Sequence, residues 1–339
     1  MEKIITLGLD LAKSIFQVHG VAENGEVLVR RTLRRSQVRG LPACLVGMEA
    51  CASAYHRARE IAALGHSVRL MPPAYVKPYV KRNKTDAADA EAICEAATRP
   101  TMRFVPVKTA EQQAASMALR TREMLMRQRS QTANALRGHM AELGIIAGTG
   151  MTSITKLLVL LRDEKDRRIP GAARFALIQF PEQIELLTTR IEKLDKEILV
   201  AVRQDPDARR VMSIPGVGPL IAATVRTSVP DASAFATARD FAAWAGLTPR
   251  AQSSGGKDRL GAISKRGNRQ LRTLLIVGAT SIVKLAKRGL KVPLWVRSAL
   301  QRRPVKVISV ALANKIARTI WALLVKGGIY QAPAAMLKS

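Results

Sequence analysis

The pattern that most constrains this chain is the placement of its strand-forming runs, which crowd the residues before Thr85 and nearly vanish beyond it. Residues 4–9, 15–18 and 27–29 are short β-branched and apolar runs, with Glu23-Asn24-Gly25-Glu26 between the last two. Asn-Gly between two such runs is a strong hairpin signal, because both residues tolerate the positive φ that a tight two-strand turn requires. Further apolar runs at 45–48 and 67–71 flank a helical stretch at 55–64, and Pro72-Pro73 closes the series. A hairpin followed by alternating strand and helix predicts an α/β domain with an early meander.

Beyond Thr85 the periodicity is helical. Residues 111–143 hold no proline and few β-branched side chains, with Met117, Leu125, Leu136, Met140 and Leu143 among the apolar positions, which predicts one long helix. Ile184, Leu187, Ile191, Leu194 and Ile198 recur in alternating steps of three and four, the seam of a helical hairpin or of a dimer contact. A glycine-rich turn at 144–150 separates the two helices, and Asp205-Pro206-Asp207 reads as a linker. The expected organisation is an α/β domain over residues 1–105, its extension along the helix to about 150 left open. A helical, coiled-coil linker at 106–205 and a mainly α-helical domain at 206–330 follow.

Charge narrows the partner. With 55 Lys and Arg against 26 Asp and Glu in 339 residues, the chain carries +29, which disfavours an acidic or neutral metabolic enzyme. At 47% hydrophobic it has enough apolar residues for sizeable cores, unlike a basic disordered arm. Residues 250–339 contain 19 Lys and Arg and a single acid, Asp258, interleaved with apolar runs, so a folded domain facing nucleic acid is expected there. Only 4% of the residues are aromatic, which points to phosphate rather than stacked bases as the main target. Cys44, Cys51 and Cys94 fit neither zinc-ligand spacing nor a disulfide framework, so reduced thiols in a cytoplasmic protein are expected. The N-terminus has no signal-peptide pattern, and apolar stretches such as 274–283 fall short of the ~20 residues of a membrane span, so no membrane association is expected.

Three constellations carry chemistry. Asp10 and Glu49 end strand-like runs, where α/β folds place ligands, and Thr85 reads as the cap of a helix that puts Asp86 and Asp89 on one face. Carboxylates from separate elements make a site for hard divalent ions such as Mg2+; taken singly, each acid also reads as a turn cap, a loop acid or a helix N-terminus meeting its dipole. Ile214-Pro215-Gly216-Val217-Gly218 is a Gly-x-Gly turn before a helix, like the backbone-gripping hairpin of helix-hairpin-helix modules, or simply a tight turn. The insert from Leu247 to Gly261 is rich in Ser, Gly and cations, including Arg250, Lys257 and Arg259, with Lys265 and Arg266 just beyond. It reads as a solvated loop or as a serine nucleophile among phosphate-binding cations; serine needs activation, and none of His19, His56, His66 and His139 lies near it in sequence.

The ordered set Gly8-Leu9-Asp10, Glu49-Ala50, Lys84-Thr85-Asp86-x-x-Asp89-Ala90, Ile214-Pro215-Gly216-Val217-Gly218 and Ala245-Gly246-Leu247-Thr248-Pro249-Arg250 with Ser254-Gly255 resembles the DEDD insertion-sequence transposases, recombinases guided by a bridge or seeker RNA. Residues 261–268 look most like the branch whose elements target attachment-site-like sequences. The resemblance implies a resolvase-like, ribonuclease-H-like domain with Asp10, Glu49, Asp86 and Asp89 as Mg2+ ligands, a coiled-coil linker, and a C-terminal transposase domain whose nucleophile matches Ser254, with Ser253 adjacent. It further implies double-stranded DNA and a guide non-coding RNA as partners, and a homo-oligomer, dimer or tetramer, in which acids and serine act from different subunits. Gly216, Gly218, Arg250, Lys257, Arg259, Lys265 and Arg266 are the candidate nucleic-acid contacts. The chain has no Walker-type phosphate loop, consistent with strand exchange that uses no nucleotide. Competing readings are a metal-dependent junction nuclease using water and a non-catalytic basic nucleic-acid-binding protein.

Overall fold

The computed structural model of the chain describes residues 3–12, 15–81, 85–252, 259–290 and 292–332. Its contacts divide into two compact units, residues 1–113 with 229–231, and residues 114–228 with 232–339.

The first unit is built on a five-stranded mixed sheet. β1 (Thr6–Leu11), β2 (Ile15–Val21) and β3 (Val27–Arg34) form the antiparallel meander, the turn at Asn24-Gly25 joining β2 to β3; β4 (Leu45–Glu49) and β5 (Ser67–Met71) add parallel to β1, giving the order β3-β2-β1-β4-β5. Alternation along β1 and β4 sorts the side chains by face. Leu7, Leu9, Val46 and Met48 join Ala54, Ala58 and Ile61 of α1 (Ala54–Ala63) in a buried core. On the opposite face, beyond the short α2 (Pro73–Val76), lies α3 (Asp86–Thr98).

The seat of α3 is set by two glycines in register, Gly8 of β1 and Gly47 of β4. A Cβ on Gly8 would stand 2.1 Å from the Ala90 carbonyl oxygen, and one on Gly47 would stand 2.6 Å from Ala97 Cβ. The helix meets this gap with small residues, Ala90 and Ala97 among them, while Ala92, Ile93 and Ala96 pack with Met71 and Val76. Thr85 caps the helix, its hydroxyl accepting the Ala88 N–H at 3.2 Å, so the helix starts where the sequence placed it.

Among the described residues, the second unit is helical apart from one short ribbon. α4 (Ala110–Glu142) and α7 (Gln179–Gln204) run antiparallel as a hairpin: Arg122 pairs with Asp195 and Arg129 donates to Thr188 Oγ1 at 3.2 Å, so contacts near the start of one helix meet the end of the other. Leu187 and Ile191 of the expected seam pack with Leu125 of α4. The seam is thus filled within the chain. α5 (Met151–Arg162) and α6 (Gly171–Leu177) complete a core with Leu136, Met140 and Ile184.

α8 (Pro206–Met212) and α9 (Pro219–Ser228) follow, then α10 (Ala238–Trp244), the ribbon of β6 (Pro249–Ala251) and β7 (Leu260–Ile263), α11 (Arg269–Lys287), α12 (Leu294–Leu300) and α13 (Val305–Lys326). Asp205 caps α8 by accepting the Asp207 and Ala208 N–H groups and also pairs with Arg226 at 2.8 Å. Burial alone would raise its pKa, but the Arg226 guanidinium and the two backbone donors hold the carboxyl below its ordinary value.

One sequence expectation needs correction: α13 is long and apolar enough, by length and composition, to cross a membrane. The apolar length has another use here, because Ile308, Leu312, Ala313, Ile316 and Ile320 are buried and α13 packs against α8, α10, α11 and α12.

Gly8→Ala is expected to force α3 off the sheet, because the atoms in the way are backbone. A loss of stability of roughly 1–3 kcal/mol or more, the usual cost of overpacking, should appear as a lower urea midpoint. A midpoint equal to wild type would show that α3 does not sit so close.

Candidate active site

The glycine pair also aims the acids. Gly8 and Asp10 are two apart on β1 and so share a face, and that face receives the first turn of α3. Asp86 and Asp89 lie in that turn. Carboxylate oxygens of Asp10, Asp86 and Asp89 come within 4.8 Å of one another, Asp10 and Asp89 half-buried and Asp86 exposed.

Glu49 is the remaining acid of the expected quartet. It follows Met48, the register partner of Leu9, so its Cα stands beside that of Asp10 on the neighbouring strand. Its carboxylate lies outside the 4.8 Å grouping. Three of the four expected ligands are therefore gathered, and the fourth is at the adjacent register position. Lys84, also in the motif, lies outside the described residues.

An all-oxygen donor set fits a hard divalent cation that keeps several waters. Farther along α3, Glu91 Oε1 pairs with Lys81 Nζ at 2.6 Å, which lowers the pKa of Glu91 and raises that of Lys81. His19, the register partner of Gly8, is buried, with no hydrogen-bond partner for its Nδ1 among the described residues; burial lowers its pKa, against the pull of Glu91.

In the second unit, the Gly-x-Gly sequence forms the turn between α8 and α9, as expected. Gly216 (φ 84°) is committed to packing: its Cβ would stand 3.0 Å from the Gly278 carbonyl oxygen, and a Cβ on Gly278 would stand 2.1 Å from that of Gly216. Gly218 has open space around its Cα.

The Ser-Gly insert proves to have paired ends, β6 and β7, with Gln252 N–H donating to the Arg259 carbonyl at 2.8 Å. Ser253, Ser254, Gly255, Gly256, Lys257 and Asp258 lie outside the described residues, so the Ser254 and Lys257 expectations have no geometry here. Arg250, Arg259, Lys265 and Arg266 are exposed around the ribbon, and Arg250 donates to the Ser264 carbonyl at 3.2 Å. Lys265 adopts φ 55°, uncommon for a side chain with a Cβ and costing roughly 1–3 kcal/mol.

Sequence reasoning missed Arg272, which holds this turn. It is buried, and its Nη1 donates to the carbonyls of Ala245 (3.1 Å) and Arg266 (3.2 Å). Burial, and then the Arg269 charge, lower its pKa. The signal was present in the spacing, since Arg272, Leu275, Ala279 and Val283 fall on the buried stripe of α11.

Substituting Asp10, Asp86 or Asp89 by Asn should each weaken divalent-ion binding by tenfold or more, about 1.4 kcal/mol per decade, with the fold retained. Isothermal titration with Mg2+ or Mn2+ checks this. Equal affinity in Asp89→Asn would remove it from the site.

A family model described as Transposase, of the DEDD IS110 type, matches residues 7–145, and one described as Transposase IS116/IS110/IS902 family matches residues 208–291. Over 331 residues the chain is 48% identical to a probable family 20 transposase of Pseudomonas aeruginosa, covering 96% of this chain and 98% of the relative. It is 39% identical over 340 residues to the transposase for insertion sequence element IS1111A of Coxiella burnetii, covering 98% and 93%. It is 36% identical over 335 residues to the transposase for insertion sequence element IS1328 of Yersinia enterocolitica, covering 97% and 99%. Family models that match both the N-terminal and the C-terminal part of the chain, and similarity to transposases along nearly the whole length, lead to one conclusion: the chain belongs to the IS110/IS116 family of DEDD transposases.

Proposed function

We propose that this transposase excises and inserts its insertion sequence at a specific target chosen by an element-encoded non-coding RNA, using Ser254 as the nucleophile on DNA phosphate. The observation that carries the reading is the gathering of Asp10, Asp86 and Asp89 on one face of the sheet. On this reading residues 1–105 are a resolvase-like, ribonuclease-H-like catalytic domain, 106–205 a linker, and 206–330 the domain that brings the nucleophile.

Asp10, Glu49, Asp86 and Asp89 are the residues that would hold Mg2+. The ion, when bound, neutralises charge developing at the scissile phosphate and makes a serine hydroxyl easier to deprotonate. Ser254 Oγ forms a bond to phosphorus as the bond to one deoxyribose oxygen breaks, and the hydroxyl proton ends on that leaving oxygen. The phosphoserine ester keeps the energy of the phosphodiester, so attack by a second DNA hydroxyl restores the backbone and frees Ser254 without nucleotide hydrolysis.

The chain's cations do the positioning. Arg250, Lys257, Arg259, Lys265 and Arg266 steady phosphates around the loop, which the constrained backbone at Lys265 supports. The Gly216–Gly218 turn offers the α9 N-terminus to the DNA backbone. Acids and serine act from different subunits of a homo-oligomer, and the protein works where the cell's DNA is, in the cytoplasm. Residues 261–268 support the branch that targets attachment-site-like sequences.

The nucleophile is tested by trapping the reaction on nicked DNA and mapping the phosphoserine peptide by mass spectrometry. The adduct is expected in wild type and Ser253→Ala and absent in Ser254→Ala. An adduct that survives Ser254→Ala moves the nucleophile, and no adduct in any protein favours the metal-dependent nuclease that uses water.

Nucleic-acid affinity is expected to fall steeply with salt, because 19 of the 55 basic residues crowd the last 90 positions with one acid. Each phosphate contact should add about −0.9 to the slope of log affinity against log salt on duplex DNA. A flat response between low and physiological salt would contradict backbone-dominated binding.

A further inference from the structure

We infer that the helical unit captures one unstacked nucleobase of a single-stranded segment in a cavity between the Gly-x-Gly turn, α11, α12 and α13, with the adjoining phosphates in the groove beside it. The cavity measures about 350 Å3, and its walls include Pro215, Leu294, Leu312 and Ile316 with two aromatic residues, Trp295 and Tyr330. That volume is in the range of sites that bury a small planar ligand. The open groove next to it, about 730 Å3, carries Lys315, Arg318 and Lys326 of α13 together with Asn314. Trp295, Lys315 and Thr319 border both spaces, so they are continuous.

Three observations point to a nucleotide as occupant. The first is the order of chemistry, an apolar and aromatic recess opening on a cationic groove, which matches a base joined to phosphates. The second is charge, because residues 250–339 hold one acid, Asp258, against 19 cations. The third is Trp295, whose indole N–H is buried with no acceptor among the described residues, an uncommon state that a base carbonyl or ring nitrogen would relieve after a small rotation. Lys315 Nζ lies 5.3 Å from the Trp295 ring, which places a cation at the junction of the two spaces. A base within a duplex is stacked and paired, so the segment recognised is single-stranded. The scarcity of aromatic residues does not oppose this, since one base needs a recess and not a platform.

The inference goes beyond the proposed chemistry and does not depend on it. The probes are eight-nucleotide oligo(U) and oligo(dT), each carrying one 2-aminopurine, titrated into the full chain. Stacking in the cavity should quench the 2-aminopurine fluorescence on binding. Thr319→Phe fills the cavity, and Leu294→Trp intrudes from a position 56% exposed, so at least one variant is expected to fold by circular dichroism.

Either variant should lose the quenching and about tenfold in affinity, the scale of one base–aromatic stack. Lys315→Gln with Arg318→Gln should flatten the salt slope by about one per lost phosphate contact. Quenching confined to oligo(U) assigns the site to RNA, and quenching confined to oligo(dT) assigns it to an opened DNA strand. No quenching at saturation, or full quenching in a folded cavity-filled variant, overturns the inference. Asp10→Asn should quench like wild type, so failure of the metal reading and failure of this one are distinguishable.

Discussion

The first unit depends on one close approach, the seating of α3 on the glycine pair of β1 and β4. With any side chain at Gly8, the Ala90 carbonyl and the Cys94 backbone would have to retreat, and the first turn of the helix would retreat with them. Asp86 and Asp89 lie in that turn, whereas Asp10 belongs to the strand. The separation of the three carboxylates is therefore a packing distance, set by the absence of two Cβ atoms and by the alanines that face them. Charge repulsion among the acids opposes the arrangement, and the buried contacts of Ala92, Ile93 and Ala96 help to hold it.

The helical unit uses the same device at Gly216 and Gly278, where turn and helix backbones touch. There the close contact fixes the turn against α11, and Arg272 fixes the next turn to the same helix through two carbonyls. An arginine buried this way is costly to desolvate and is retained where several backbone acceptors need one rigid donor. The result is a stable frame around the β6–β7 ribbon, from which exposed Arg250, Arg259, Lys265 and Arg266 project. Rigid turns carrying surface cations suit a protein whose partner is a polyanion.

The long hairpin of α4 and α7 separates shape from chemistry. Its seam is aliphatic and filled within the chain, and its cross-links, Arg122 with Asp195 and Arg129 with Thr188, specify the antiparallel register. Leu187 and Ile191 of that seam pack against Leu125 of α4, which is the hairpin arrangement that its spacing allows.

Sequence alone determined the elements and the motif chemistry. Asn24-Gly25 required its turn, Thr85 marked the start of α3, the alternating steps from Ile184 to Ile198 marked a helix with one buried seam, and +29 restricted the partner. These are local or compositional properties, set by backbone preference, side-chain period and charge count. What only the tertiary structure decided is distance. That Asp10 meets Asp86 and Asp89, while the Glu49 carboxylate stays outside their grouping, follows from strand register and the glycine seat. That an arginine in an apolar run is a pin for two carbonyls, and that an apolar 22-residue helix is a core element, follows from what packs against them. No local pattern encodes these, because they depend on which backbones can touch.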